Sequence, residues 1–164
     1  MVCMNEQAIE HAAAHGEIDP KSLLLIVVGA HLRAEVDDRP LAYRLHERVL
    51  RRQRELRDAG ALDGQPLEPL VCTDLWYLND DELLGRPVIA LGDPATNAAT
   101  AYLSNRLPTA LVVEPAFRVL LDPEFLDVQT CLWGVNPVAT ASAVDAFIQR
   151  YMDEFLIQAI SGSG

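Results

Sequence analysis

The chain has 164 residues, of which 50% are hydrophobic, and its 13 basic and 24 acidic side chains give a formal net charge of −11. This length suits one compact domain, and the apolar share is too high for a disordered chain. The excess of acid argues against a nucleic-acid partner, because such binding needs basic side chains that displace the counterions of the phosphates. The composition therefore predicts a single acidic domain at residues 1–160, followed by a disordered tail at 161–164.

The sequence carries no signal for a membrane or for secretion. Its longest aliphatic run, residues 23–28, has six residues, against about 20 for a bilayer span. Residues 1–16 contain two glutamates and no lysine or arginine, which does not fit a secretory signal. The three cysteines are an odd number, and Cys72 and Cys131 fall in predicted strands, so no disulfide framework is expected. We therefore expect a cytoplasmic protein with no membrane contact.

The first predicted element is an alanine-rich helix at residues 5–15. Residues 22–28 (SLLLIVV) form a uniformly aliphatic run, which is typical of a strand buried on both faces of a parallel sheet. A long helix is predicted at residues 40–58, because apolar side chains recur every four residues after Pro40 and Gly60 follows the last of them.

Strands and helices continue to alternate in the rest of the chain. Only three residues separate the strands predicted at 109–113 and 117–121, which is too short for a parallel crossover and predicts a hairpin with an antiparallel member. The alternation predicts an α/β fold: a three-layer domain with a mostly parallel sheet of about five or six strands and helices on both faces. The other predicted strands lie at residues 70–73, 88–91 and 128–133, and the other predicted helices at 94–106 and 137–156.

Two strand-to-helix junctions share a pattern, Gly92-Asp93-Pro94 and Gly134-Val135-Asn136-Pro137. Glycine permits a sharp turn, the aspartate or asparagine accepts hydrogen bonds from free helix amides, and proline fits the first helical position. Helix capping alone is enough to explain this pattern. The chain contains neither GxGxxG nor GxxxxGK[ST], and no cofactor is predicted.

The functional interpretation of these junctions rests on topology. In open α/β sheets, ligands bind beyond the carboxyl ends of the strands. Polar and aromatic side chains follow several of the predicted strands, and parallel strands would bring them to one edge of the sheet. We therefore expect a module that binds a small molecule or a protein partner at this edge. The candidate ligand-binding residues are His31, Arg33, Asp74, Asp93, Asn97, Trp133 and Asn136.

An enzyme is the alternative hypothesis. It would be a hydrolase or transferase with three candidate catalytic residues, His31 as acid/base and Asp74 or Asp93 as its carboxylate partner. No established motif such as GxSxG accompanies them, which favours a binding module. No metal site is predicted, because His11 and His15 supply only half of one and the spacing of the aspartates matches no metal motif.

Charge is distributed unevenly along the chain. Residues 40–58 hold six arginines and three acids, a net of +3, whereas the remaining residues hold seven basic and twenty-one acidic side chains, a net of −14. A solvated helix with ion pairs such as Glu47–Arg51 explains this distribution in the simplest way. The alternative is an assembly domain, in which the helix docks on an acidic partner or on a second copy of the chain in a homo-oligomer.

Overall fold

A computed structural model describes residues 18–163, so the helix predicted at residues 5–15, with His11 and His15, lies outside the described residues. Six strands form one sheet in the order β2-β1-β3-β6-β5-β4. Strands β2, β1, β3 and β6 are parallel, whereas β5 pairs antiparallel with both β6 and β4. The mostly parallel sheet and the hairpin are therefore confirmed. The strands are β1 (Leu23–Val28), β2 (Glu68–Thr73), β3 (Val88–Leu91), β4 (Thr109–Val113), β5 (Phe117–Leu121) and β6 (Gln129–Gly134).

Helices cover both faces of the sheet. The described helices are α1 (Leu32–Asp58), α2 (Asp74–Leu78), α3 (Asp81–Leu84), α4 (Ala98–Ser104), α5 (Pro137–Arg150) and α6 (Met152–Ser161). Apolar residues of α1, α5 and α6 pack on one face, and those of α2, α3 and α4 on the other. This arrangement confirms the three-layer α/β domain.

Strand β1 shows why its aliphatic run does not alternate with polar residues. All six of its side chains are buried, because the strand lies inside the sheet between β2 and β3. Its even-numbered residues belong to the apolar cluster of Leu45 in α1 and Phe147 in α5. Its odd-numbered residues belong to the cluster of Tyr77 in α2 and Leu103 in α4.

Two of the predicted helix starts were wrong. Helix α1 begins at Leu32 rather than at Pro40, which lies inside it. Although proline removes one helical hydrogen bond, the helix continues because its buried face packs along the sheet. The helix predicted from Pro94 begins only at Ala98, since Asp93 caps a turn and the next asparagine caps the helix.

The carboxyl-terminal part of the chain also differs from the prediction. The single helix expected at residues 137–156 is interrupted at Tyr151, and α6 then reaches Ser161. Ser163, which lies in the segment expected to be a disordered tail, accepts a hydrogen bond from Arg86 through its hydroxyl and donates one to the carbonyl of Ala159.

Candidate functional site

The carboxyl ends of β1, β2, β3 and β6 lie along one edge of the sheet, because all four strands are parallel neighbours. We call this edge, formed by residues 29–33, 74, 92–97 and 133–137, the carboxyl rim. Every candidate site residue from the sequence lies on it. The rim also contains a change of direction in the chain: β1 leads into a helix on one face of the sheet, and β3 leads into a helix on the other.

Asp74 holds three segments of the rim together through hydrogen bonds to their backbone. Its Oδ1 accepts hydrogen bonds from the backbone N–H of Ala30, at 2.9 Å, and of Leu75, at 2.8 Å. Its Oδ2 accepts one from the backbone N–H of Ala98, at 2.7 Å. The side chain therefore ties the loop after β1 to the starts of α2 and α4. Because both of its oxygens are engaged and the residue is only 5% exposed, Asp74 has a structural role in this arrangement.

Asn97 is a second brace and is fully buried. Its Nδ2 donates to the carbonyls of Val27 and Leu91, the former in β1 and the latter in β3. Its Oδ1 accepts from the backbone N–H groups of Ala99 and Thr100, which caps α4. All four hydrogen-bonding positions of the amide are thus occupied by the protein's own backbone.

The remaining two catalytic candidates also contact the backbone. His31 is exposed, and its Nδ1 accepts a hydrogen bond from the backbone N–H of Arg33, which caps α1. Asp93 Oδ1 accepts from the backbone N–H of Ala95 at 2.7 Å and of Thr96 at 3.2 Å. None of the hydrogen bonds or ion pairs among residues 18–163 joins His31 to either aspartate. The enzyme hypothesis stays a prediction without support from the geometry.

Three of the candidate residues line a cavity of about 230 Å3 where the rim meets the starts of α1 and α5. They are Arg33, Asp93 and Asn136. Asp37 and Asp38 on α1, which the sequence considered only as part of a metal site that it did not favour, line the cavity as well. We call this space the rim cavity. Its other lining residues are Thr96, Gly134, Val135, Pro137 and Thr140.

Asp38 is the unusual residue of the rim cavity. It is only 7% exposed, and no hydrogen bond among residues 18–163 reaches its carboxylate. Its Oδ2 lies so close to Gly92 that a Cβ there would stand 2.5 Å away. Burial, together with the negative charges of Asp37 and Asp93, raises the pKa of Asp38 to about 6. The cavity therefore holds a carboxylate that the protein itself does not neutralise.

The helical phase of Asp38 was the signal that could have identified it. A helix beginning at Leu32 places residue 38 on the same face as Ala34, Leu41 and Leu45, which pack on the sheet. An aspartate at such a position is rare without a partner. The prediction that the helix begins at Pro40 left residue 38 in a loop, where an aspartate needs no special explanation.

A second cavity of about 200 Å3 adjoins the first and shares Asp93, Gly134 and Val135 with it. We call it the aromatic cavity, because Phe117 and Trp133 contribute to its lining. Trp133, another candidate from the sequence, therefore lies beside the rim cavity, and its side chain packs with the apolar cluster on the face of the sheet away from α1.

The raised pKa of Asp38 predicts a pH-dependent stability. The folded protein holds this proton more tightly than the unfolded chain, so the free energy of unfolding falls as the pH rises from 3.8 through about 6. We expect Asp38→Asn to raise the free energy of unfolding by about 2 kcal/mol at pH ~7.5, and to lose this advantage near pH ~4. Urea unfolding of both proteins at the two pH values measures the difference. The exposed Asp63→Asn is the control and is expected to show neither effect; an equal gain for Asp38→Asn at both pH values would contradict the prediction.

The described cysteines do not contribute a reactive group. Cys72 and Cys131 are both buried and free. Burial raises the pKa of each thiol to about 12, so the nucleophilic thiolate is disfavoured. Among residues 18–163, no three histidine, cysteine or acidic side chains are close enough together to hold a metal ion.

A comparison of the chain with protein-family models, with curated proteins and with solved structures finds no match. Within the described part of the chain, no helix is both long enough and apolar enough to cross a membrane. The fold and the rim thus define a three-layer α/β domain with a polar cavity at the carboxyl ends of its parallel strands.

Proposed function

We propose that this domain binds a small amine-bearing molecule in the rim cavity. The observation that carries the proposal is Asp38, a nine-tenths buried carboxylate that lines the cavity and has no partner among residues 18–163. Burial removes part of the hydration of this carboxylate, whereas an ammonium group supplies both positive charge and hydrogen-bond donors. Binding a cation would therefore offset this cost.

The charges around the cavity favour a cation over an anion. Asp37, Asp38 and Asp93 contribute three carboxylates to the lining, against the single guanidinium of Arg33. An anion at the start of α5 would benefit from the helix dipole but would face all three carboxylates. Charges within a few ångströms of each other outweigh the partial charge of a helix end. We therefore expect the acidic side chains to make the cavity selective for a cation.

The aromatic cavity indicates what else the ligand carries. Phe117 lines the aromatic cavity and packs on the same face of the sheet as α1, so a molecule bound through its amine at Asp38 and Asp93 can extend an apolar group toward it. An aromatic ring would gain both apolar burial and ring contacts there. The proposed ligand class is therefore a small primary amine with an apolar or aromatic end.

Calorimetric titration with 2-phenylethylamine tests this proposal, and 2-phenylethanol provides the neutral ligand of nearly the same shape. We expect saturable binding of the amine at pH ~7.5 and affinity for the alcohol lower by about tenfold or more, the equivalent of ~1.4 kcal/mol. Equal affinity for the two ligands, or no saturable binding of the amine, would refute the amine class.

Two further titrations test whether the amine binds at Asp38. The variant Asp38→Asn is expected to lower the affinity for 2-phenylethylamine by about tenfold or more, whereas Asp63→Asn leaves it unchanged. Binding by the original protein should also strengthen from pH ~5 to ~7.5, because Asp38, with a pKa of about 6, becomes ionised over this range. Full binding by Asp38→Asn would mean that the amine sits elsewhere.

A further inference from the structure

A third cavity lies away from the rim, in the groove between α1 and α5. It has a volume of about 300 Å3. Its apolar lining includes Leu41, Leu45 and Val144, which are buried, and its α1 side carries three arginines one turn apart. We call this feature the arginine groove; the arginines are Arg44, Arg48 and Arg51.

The three guanidiniums of the arginine groove are not held by ion pairs within the described residues. The ion pairs there engage Arg39, Arg52 and Arg118 instead. Two acids, Glu47 and Asp145, also line the groove, so its lining keeps a net positive charge on a chain whose formal net charge is −11. The partly exposed Ala141 and Ile148 give the groove an apolar floor beside the three arginines, which suits an acidic partner with an apolar side chain.

The chain itself presents a surface of that kind in the turn between β5 and β6. Leu126 at this turn is 80% exposed and stands between the exposed acids Glu124 and Asp127. We call residues 122–127 the acidic loop. Its sequence is Asp-Pro-Glu-Phe-Leu-Asp, so an apolar tip is flanked by carboxylates at short range.

The acidic loop is preorganised to present this tip. The carboxylate of Asp122 accepts hydrogen bonds from the backbone N–H groups of Glu124 and Leu126, each at 3.0 Å. Phe125 adopts a φ of 51°, in the left-handed region, and packs against the apolar cluster under α5 and α6. Turning Phe125 inward leaves Leu126 directed away from the core, and a loop held this way loses little conformational entropy on docking.

We propose that the acidic loop of one copy docks in the arginine groove of a second copy of this chain. Leu126 would lie on the apolar floor, and Glu124 and Asp127 would approach Arg44, Arg48 and Arg51. The partner is a second copy because one chain presents both the arginines of the groove and the exposed acids and leucine of the loop. At ~0.15 M salt the Debye length is ~8 Å, so the repulsion between two acidic chains is screened while contacts at the groove persist.

The groove and the loop are different surfaces, so the proposed contact is heterologous. A variant that lacks a working groove should therefore still bind a variant that lacks a working loop. Arg48→Glu/Arg51→Glu disables the groove but keeps the loop, whereas Leu126→Ser disables the loop but keeps the groove. The matched control Arg54→Glu/Arg150→Glu makes the same change of charge at two exposed arginines outside the groove.

Sedimentation velocity over a concentration series up to ~1 mM, near the limit of weak specific contacts, measures the association. We expect the original protein and the control to self-associate, and each of the two disabling variants to weaken self-association at least tenfold. Mixing the two disabling variants should restore a heterodimer of about the original affinity, because one intact groove then meets one intact loop. An unchanged circular dichroism spectrum and Tm show that each variant is folded.

Three results would overturn the proposal. They are an original protein that stays monomeric throughout the series, disabling variants that associate as strongly as the control, and a mixture of the two that fails to associate. The mixing experiment separates the proposed contact from general charge effects. In the mixture, one variant keeps an intact groove and the other keeps an intact loop.

Discussion

Asp74→Ala is expected to lower the free energy of unfolding by about 3–5 kcal/mol, one of the largest effects of any single substitution in this chain. The carboxylate of Asp74 accepts hydrogen bonds from the backbone N–H groups of Ala30, Leu75 and Ala98. Alanine would leave these three donors, from three different segments of the rim, without their acceptor. Each hydrogen bond to a charged group is worth roughly 1.5–3 kcal/mol, and part of the loss is recovered where water reaches the opened rim.

Urea unfolding with a matched series measures this effect. Asp74→Asn keeps one oxygen and should be less destabilising than Asp74→Ala, because Ala30 and Leu75 both donate to the same Oδ1. Asp63→Ala, at an exposed position in the loop after α1, is the control and should change stability by less than ~0.5 kcal/mol. A loss below ~1 kcal/mol for Asp74→Ala would show that the rim does not depend on this brace.

Gly29→Ala is expected to destabilise the fold by at least ~3 kcal/mol, or to prevent folding. Gly29 follows β1, and a Cβ at this position would overlap the carbonyl oxygen of Thr96. The clash is with backbone, which cannot rotate away like the end of a side chain. Relieving it requires moving the turn before α4, where Asn97 and Asp74 form their hydrogen bonds.

Gly85→Ala is the matched control for Gly29→Ala. A Cβ on Gly85 meets no atom within 4 Å, and Gly85 has an ordinary φ of −84°. This substitution should leave stability unchanged or raise it by about 0.4–1 kcal/mol, because alanine has fewer conformations in the unfolded chain. Thermal unfolding of the two variants compares them directly. If Gly29→Ala had the same Tm as Gly85→Ala, the close approach of the loop after β1 to the turn before α4 would be wrong.

The sheet was predictable because its signal is local and strong. Six consecutive aliphatic residues in β1 have no stable place except between two layers, and the three residues between β4 and β5 permit only a hairpin. Helix boundaries were less predictable. Pro40 is a common first-turn residue, but here tertiary packing of the apolar face overrides its cost, and the true start is capped by His31, an uncommon residue at that position.

The position of the candidate residues at one edge of the sheet was predictable from the strand pattern, whereas the contacts of individual residues were not. Asp74 and Asn97 follow strands as ligand-binding residues do, but their partners are backbone atoms 44 and 70 residues away in the chain. Such partners become known only when the strand order is known. Asp38 was missed for the opposite reason, because its significance depends on being buried rather than on a local motif.

Under the proposed function, the hydrogen bonds that hold the rim have a consequence for how the ligand preference of this domain could change. Asp74 and Asn97 fix the loops through the backbone, whereas the side chains that line the rim cavity on α1, Arg33 and Asp37, do not hold those loops together. The two tasks, keeping the loops in position and choosing the bound molecule, thus fall to separate residues. Exchanging Arg33 or Asp37 alters the chemistry of the cavity while its walls stay in place, so new preferences can arise in this scaffold with little sacrifice of stability.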